Sequence, residues 1–357
     1  WDVAQRPVFA KNKQQTISTF ISHLDQCLLG LNLAMDVQNE LKHDEQYNDL
    51  RNLIENINLS KEQTNKRNEK LKALILSHND ITLPPLPFAE GGFGFIYFGR
   101  MRSNKVAVKV NKNDENIPLQ PDQIKDIENE ILLLKYLEDP SIVTCYGYIP
   151  DPIRLTIVME LAPFGCLWDI VQDKINYPEM PFSLTFAWLC DLMDGMKHIH
   201  SKKVVHKDIK AENMLVFMGL KAKISDFGLA KKCIVGKMSS VVGGGTLAFM
   251  APERRNGKSA VYKSDVFSFA ITAVQILTRN QPALDSFEMQ IIRAFDKYNN
   301  IKNIDKFIDI LKKAAAVNPE VRPTSSVLST QLADLLRNEL GDDPRGFSKD
   351  AEAVKIT

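Results

Sequence analysis

The stretch Val205-His206-Lys207-Asp208-Ile209-Lys210-Ala211-Glu212-Asn213 places a carboxylate, an ammonium and an amide at short fixed spacing, on Asp208, Lys210 and Asn213. Phosphoryl transfer asks for such a set: a carboxylate to orient the attacking hydroxyl, a cation near the moving phosphoryl group and an amide oxygen for a metal. Nine residues alone can be accident. The chemistry also needs a cation to hold phosphates, an acid to aim that cation, a second metal-binding carboxylate, and a turn that lets phosphates approach the backbone.

The chain offers a candidate for each part. Ala89-Glu90-Gly91-Gly92-Phe93-Gly94-Phe95-Ile96-Tyr97 is a glycine-rich turn between apolar strand residues. Glycines let backbone amides come close to phosphates with no Cβ in the way, although a hairpin turn with no ligand fits the same pattern. Val106-Ala107-Val108-Lys109 follows at strand alternation, and a lysine inside an apolar strand is costly unless it has a partner. A helix expected from Asp122 to Leu137 carries two acids, Glu128 and Glu130. Ile224-Ser225-Asp226-Phe227-Gly228 supplies a second carboxylate, and Asp226 with Asn213 offers hard oxygen ligands suited to Mg²⁺.

Taken in order, these stretches resemble the motifs of eukaryotic-type protein kinases over about residues 86 to 340. The resemblance implies an α+β, bilobal fold: a small β-sheet lobe with one helix, a large mostly helical lobe, and ATP in the cleft. It implies that Ala89, Gly91, Gly92, Phe93, Gly94 and Ile96 cover the nucleotide, with Ala89 standing where the first glycine is usual. Lys109 then holds the α- and β-phosphates, Ala107 packs on adenine, and Glu130, favoured over an exposed Glu128, aims the lysine. Met159 guards the pocket behind adenine, Glu160 and Ala162 belong to the hinge that meets the adenine edge, and Leu215 closes the pocket floor. Asp208 and Lys210 are the catalytic pair, with Mg²⁺ on Asn213 and Asp226.

Further matches extend the pattern. Asp265, in Ser264-Asp265-Val266-Phe267, stands where that family holds the catalytic-loop backbone, and Arg322 where it pairs with the acid of Ala251-Pro252-Glu253. Lys207 replaces the usual Arg, Phe267 the usual Trp and Ala270 the usual Gly. Lys210 and Thr246 match the Ser/Thr-specific pattern, and Gly245-Thr246-Leu247-Ala248-Phe249-Met250 looks closest to the tyrosine-kinase-like group, mixed-lineage and receptor-interacting kinases included. The implied activity is transfer of the ATP γ-phosphoryl to protein Ser/Thr hydroxyls, autophosphorylation included. The alternative is a kinase-like switch or pseudokinase scaffold controlling an N-terminal helical module.

Other segments must position these groups. Apolar residues recur at helical steps through Ile17, Phe20, Ile21, Leu24, Leu28 and Leu31, then Leu50, Leu53, Ile54 and Ile57. A third helix is expected from a capping box at Ser60 and Gln63, with its apolar face at Leu71, Leu74 and Ile75. Residues 1–80 thus read as a helical brace, a partner-binding or self-associating element, or a membrane-active bundle. Residues 81–340 read as the kinase domain, dividing near 160, and 341–357 as a polar, mobile tail. Ile142-Val143 and Leu155–Met159 read as strands, and Phe186–His200 as a helix whose His198 and His200 point to different faces. With 25% charged residues and a net charge of +1, nothing draws the chain to nucleic acid. No apolar run approaches the roughly 18 residues of a membrane span, and five scattered cysteines favour reduced thiols and a cytoplasmic setting.

Overall fold

The computed structural model describes residues 62–91, 94–111, 118–151, 153–232, 246–258, 261–282, 291, 295, 298, 301 and 304–339. The chain divides into two compact units, Trp1–Lys72 and Ala73–Thr357. In the first, the described part is a helix, α1, over 62–72. The helices expected between residues 17 and 57, residue Ser60 of the expected capping box, and the tail all lie outside the described residues.

The second unit opens with an antiparallel sheet of six strands: β1 (Ile81–Thr82), β2 (Ala89–Gly91), β3 (Gly94–Met101), β4 (Asn104–Asn111), β5 (Cys145–Ile149) and β6 (Thr156–Glu160). Their order is β1-β3-β4-β6-β5, with β2 folded onto β3. Strand β4 shows why this sheet forms. Successive side chains point to opposite faces, so Val106, Val108 and Val110 share one face and are buried with Val158 against Leu76, Ile81, Tyr97 and Met101. Each buried valine stabilises by about 2 kcal/mol. The same alternation sends Ala107 and Lys109 to the other face.

Helix α2 (Pro121–Tyr136) follows β4 in the chain. It starts where Gln120 adopts an extended conformation and its amide donates to Gln123 Oε1, with Pro121 at the first helical position, where a missing N–H does no harm. Its buried face is Glu130, Ile131, Leu133 and Leu134.

After β6 the chain becomes helical. Helix α3 spans Leu167–Gln172 and α4 spans Phe182–Ser201. Short pairs follow: β7 (Val204–Val205) with β10 (Lys231–Lys232), and a hairpin of β8 (Met214–Phe217) with β9 (Lys221–Ile224). Helix α5 (Pro252–Arg255) leads to α6 (Tyr262–Thr278), whose residues from Ser264 to Leu277 are all buried, the polar Asp265, Ser268, Thr272 and Gln275 among them with hydrogen-bond partners. Arg279 ends α6 in the left-handed region (φ 59°). Its guanidinium donates to the carbonyls of Val171, Asp173, Tyr177 and Pro178, which offsets a conformation that normally favours glycine. Helices α7 (Ile304–Ala314) and α8 (Ser325–Glu339) complete the bundle, α7 burying Ile304, Phe307, Leu311 and Ala314 at steps of three and four.

Two sequence expectations need correction. Helix α1 stops at 72, so Leu74 and Ile75 are not part of its face; instead Leu76 N and Leu74 O bond Tyr148, and Ile75 bridges Tyr148 in parallel along β5. The strand expected at Ile142-Val143 begins at Cys145. Ile142 and Val143 are buried beside Ile224 through one bridge and one hydrogen bond, without a ladder. Among the described residues no helix is long and apolar enough to cross a membrane.

Candidate active site

The site is built where the inner face of the sheet meets the loops after β7 and β9. Lys109, on the inward face of β4, donates to Glu130 of α2 at 2.8 Å and lies 3.6 Å from Asp226 Oδ1. Burial works against the ammonium, but the Glu130 and Asp226 carboxylates outweigh it and hold the lysine pKa above its ordinary value.

The loop after β7 gathers its three polar residues around one carboxylate. Lys210 Nζ lies 2.9 Å from Asp208 Oδ2, and Asn213 Nδ2 donates to both the Asp208 carbonyl (2.7 Å) and Oδ2 (2.9 Å). Thr246 closes the other side: its amide donates to Asp208 Oδ1 at 3.1 Å, and Lys210 donates to its hydroxyl at 2.7 Å. Burial alone would raise the Asp208 pKa, yet the Lys210 hydrogen bond and charge, with the Thr246 and Asn213 donors, bring it below the ordinary aspartate value. The carboxylate is therefore ionised and aimed.

The backbone of this loop is held from beneath. Asp265, fully buried at the start of α6, accepts from the amides of His206 (2.8 Å) and Lys207 (2.9 Å) and meets His200 Nε2 at 3.0 Å. Burial opposes its charge; the His200 contact and these amides prevail, so its pKa too is lowered. Nδ1 of His206 takes the Asp208 amide at 3.3 Å, and its Nε2 faces the Ser225 carbonyl at 3.1 Å. Those partners require the Nε2–H tautomer. His198 and His200 contact Asp139 and Asp265 separately, as their opposed faces imply.

Asn213 and Asp226 are brought together through the neighbouring backbone, because the amide and hydroxyl of Ser225 both bond the Asn213 carbonyl, at 2.9 and 3.0 Å. Asp226 has φ 59° and its Oδ1 is buried with no hydrogen-bond partner. The Lys109 ammonium at 3.6 Å is a cationic neighbour of that oxygen but gives it no hydrogen bond, so a hard cation could also satisfy it. The Asn213 amide nitrogen is spent on Asp208, which leaves its oxygen as the donor atom. Two hard oxygens of this kind fit Mg²⁺, which keeps most of its remaining ligands as water and phosphate. Among the described residues no group of three or more His, Cys, Asp or Glu could hold a metal alone.

Apolar residues pack beside these groups. Ala107 pairs with Met159 across β4 and β6, and Ala89 with Ile96 across β2 and β3. Met159 and Leu215 pack on Val143, Ala162 and Phe217. Gly91 faces Gly94 at the turn, whose tip residues Gly92 and Phe93 lie outside the described residues. Gly94, at φ 149°, cannot be otherwise: a Cβ there would overlap the Val110 carbonyl. Glu160 is committed within the protein, its amide to the Thr144 carbonyl and its carboxylate to Thr144 N and Lys223 at 2.7–2.8 Å. Lys223 in turn lies 4.5 Å over the Phe217 ring. Sequence reading missed the Glu160–Lys223 pair; no local spacing links residues 63 positions apart.

One further anchor lies below the site. Glu253 takes both Arg322 Nη1 and Nη2, at 2.7 and 2.8 Å, with Ser264 Oγ at 3.0 Å. A family model of the protein kinase domain matches residues 88–345. The chain belongs to the protein kinase family. Its relatives among kinases include serine/threonine-protein kinase STY46 of Arabidopsis thaliana, 31% identical over 208 residues, covering 57% of this chain and 35% of that one. Two proteins of Dictyostelium discoideum, each named as a probable serine/threonine-protein kinase, are 30% identical. One aligns over 213 residues (58% of this chain, 16% of its own length) and the other over 288 (77% and 67%). The chain thus spans less than two thirds of most of the curated kinases it resembles. Within the kinase domain, a curled sheet with α2, followed by a mostly helical part after β6, is consistent with a bilobal kinase fold.

Proposed function

We propose that this chain is a Ser/Thr protein kinase that moves the γ-phosphoryl of ATP to protein hydroxyls. The observation that carries the reading is the assembled state of the site: Lys109 on Glu130 at 2.8 Å while Asp208 is ionised between Lys210, Asn213 and Thr246. A buried lysine held charged by two carboxylates supports a site built to hold phosphates.

Asp208 orients the substrate hydroxyl and takes up its proton as the phosphoryl group moves. Lys210, shared between Asp208 and Thr246, stabilises charge on that group, and its contact with Thr246 supports Ser/Thr as acceptor. Lys109, aimed by Glu130, holds the α- and β-phosphates, and the β2–β3 turn covers them. Asn213 and Asp226 would hold Mg²⁺, which when bound neutralises charge on the β- and γ-phosphate oxygens. Ala107, Met159, Ala162 and Leu215 supply apolar surface for adenine; Glu160 contributes through its main chain alone, since its side chain belongs to Lys223. Catalysis here is positioning and electrostatics, with no covalent enzyme intermediate. The Gly245–Met250 stretch supports placement near the tyrosine-kinase-like group, and substrate proteins are the partners this chemistry requires.

Asp208→Asn and Lys109→Met test the reading. Each should abolish transfer from labelled ATP to a Ser/Thr-containing protein while far-ultraviolet circular dichroism stays that of the wild type. Wild-type transfer by either variant would refute it.

A further inference from the structure

Lys207 holds a left-handed backbone (φ 74°) directly before Asp208, a conformation that side chains with a Cβ avoid. Asp265 holds the amide side of this turn through His206 and Lys207. The carbonyl side is held by a residue outside the loop: Nη1 of Arg254, in α5, donates to the Lys207 carbonyl at 2.9 Å, fully buried. The next amide, that of Asp208, donates to His206 Nδ1. The peptide unit joining Lys207 to Asp208 is therefore fixed at both its polar atoms, and the Asp208 side chain hangs directly from it.

Arg254 is an expensive choice for merely filling space. Its guanidinium is buried, and burial lowers its pKa; the carboxylates of Asp265, Asp208 and Glu253 work to keep it charged. An apolar side chain of similar volume would fill the same place without desolvating a charge, but would remove the bond from Arg254 to the Lys207 carbonyl.

We propose that Arg254 is a positioning residue for phosphoryl transfer: by holding the Lys207 carbonyl it sets the peptide plane that carries Asp208, and so acts on turnover and not on ATP binding. This rests on the kinase reading above. The catalytic carboxylate must lie within a fraction of an ångström of its working place for the hydroxyl to be in line, and rotation of the 207–208 peptide moves that carboxylate.

The test uses the full chain with Arg254→Gln and Arg254→Lys, dephosphorylated casein as acceptor, and backbone amide exchange followed on the same proteins. Arg254→Gln should lower kcat ten- to a hundredfold with the KM for ATP within threefold. Exchange over residues 204–213 should quicken at least tenfold while that of Phe186–Met196 is unchanged. Arg254→Lys keeps charge but not the planar donor, and its kcat should fall between the two, at least threefold below wild type. If Arg254→Gln does not fold, this Arg254→Lys value decides. Wild-type kcat in the variant measured, or unchanged exchange over 204–213, overturns the inference. If the wild type itself transfers no phosphate to any Ser/Thr acceptor, the kinase reading fails, and the exchange comparison still decides whether Arg254 places the loop.

Discussion

Replacing Glu253 with Gln probes a buried charge pair in the helical part of the domain. The Arg322 side chain is wholly inaccessible, lies 5.1 Å from the Phe267 ring, and gives its remaining donors to the carbonyls of Ala316, Val317 and Lys263. Glu253→Gln keeps one acceptor for Ser264 and Arg322 but sets an amide N–H₂ against a guanidinium N–H, and leaves the buried cation without its counter-charge. Breaking a buried pair from one side costs roughly 3–5 kcal/mol; because one acceptor survives, about 3 kcal/mol is expected here. For a domain of this size each kcal/mol moves Tm by about 2–4 °C, so the fall should be about 6–12 °C.

The assay is thermal and urea unfolding of wild type, Glu253→Gln, Arg322→Met and the double variant. The double variant should be more stable than the sum of the single losses, with a coupling of about 2 kcal/mol. The pH dependence has a definite sign. Although burial alone would raise it, the Arg322 contacts bring the Glu253 pKa below its ordinary value. Its contribution is therefore complete above the unfolded glutamate value of about 4.3 and is lost as pH falls through the lower folded value. The gap between wild type and Glu253→Gln should be constant from pH 6 to 8 and shrink below about pH 4. A loss under 1 kcal/mol, or single losses that simply add, would refute the account of Arg322 as a buried cation dependent on the Glu253 counter-charge.

Two further outcomes test the site. Thr246→Val keeps the shape but removes the hydroxyl that Lys210 contacts at 2.7 Å, while its amide still reaches Asp208. Loss of a hydrogen bond to a charged group, about 1.5 kcal/mol, should lower kcat about tenfold, and Thr246→Ser should restore it; steady-state phosphotransfer measures both. Gly94→Ala forces a Cβ against the Val110 carbonyl at a positive φ, so stability should fall by about 2 kcal/mol and the KM for ATP should rise severalfold. An alanine variant with wild-type melting and ATP affinity would show that the turn does not need glycine there.

The readable parts of this protein were those in which local pattern and local structure coincide. Alternation in Val106–Val110 places valines on one face and Lys109 on the other with no other information, because the strand repeat is two residues. The apolar spacing of Phe186 to His200 gives α4 for the same kind of reason. Where reading failed, burial and pairing had parted company. Ile142-Val143 has the composition of a strand and is buried like one, yet its backbone meets Ile224 through one bridge and one hydrogen bond, and no ladder forms. Leu74 and Ile75 continue an apolar pattern past the end of α1, but their partner is Tyr148, and a strand edge in need of hydrogen bonds took the segment out of the helix.

By itself, then, the sequence determined which groups stand at the order and spacing that the proposed phosphoryl transfer needs: Asp208, Lys210, Asn213, Lys109, Glu130 and Asp226 are set by type, order and spacing. Tertiary structure alone decided how those groups are held. The Asp265 grip on two amides 58 and 59 residues away, the Arg254 bond to the Lys207 carbonyl, and the Glu160–Lys223 pair join positions that share no period. Each depends on where a backbone polar group is left without water, and that is known only once the chain has closed around it.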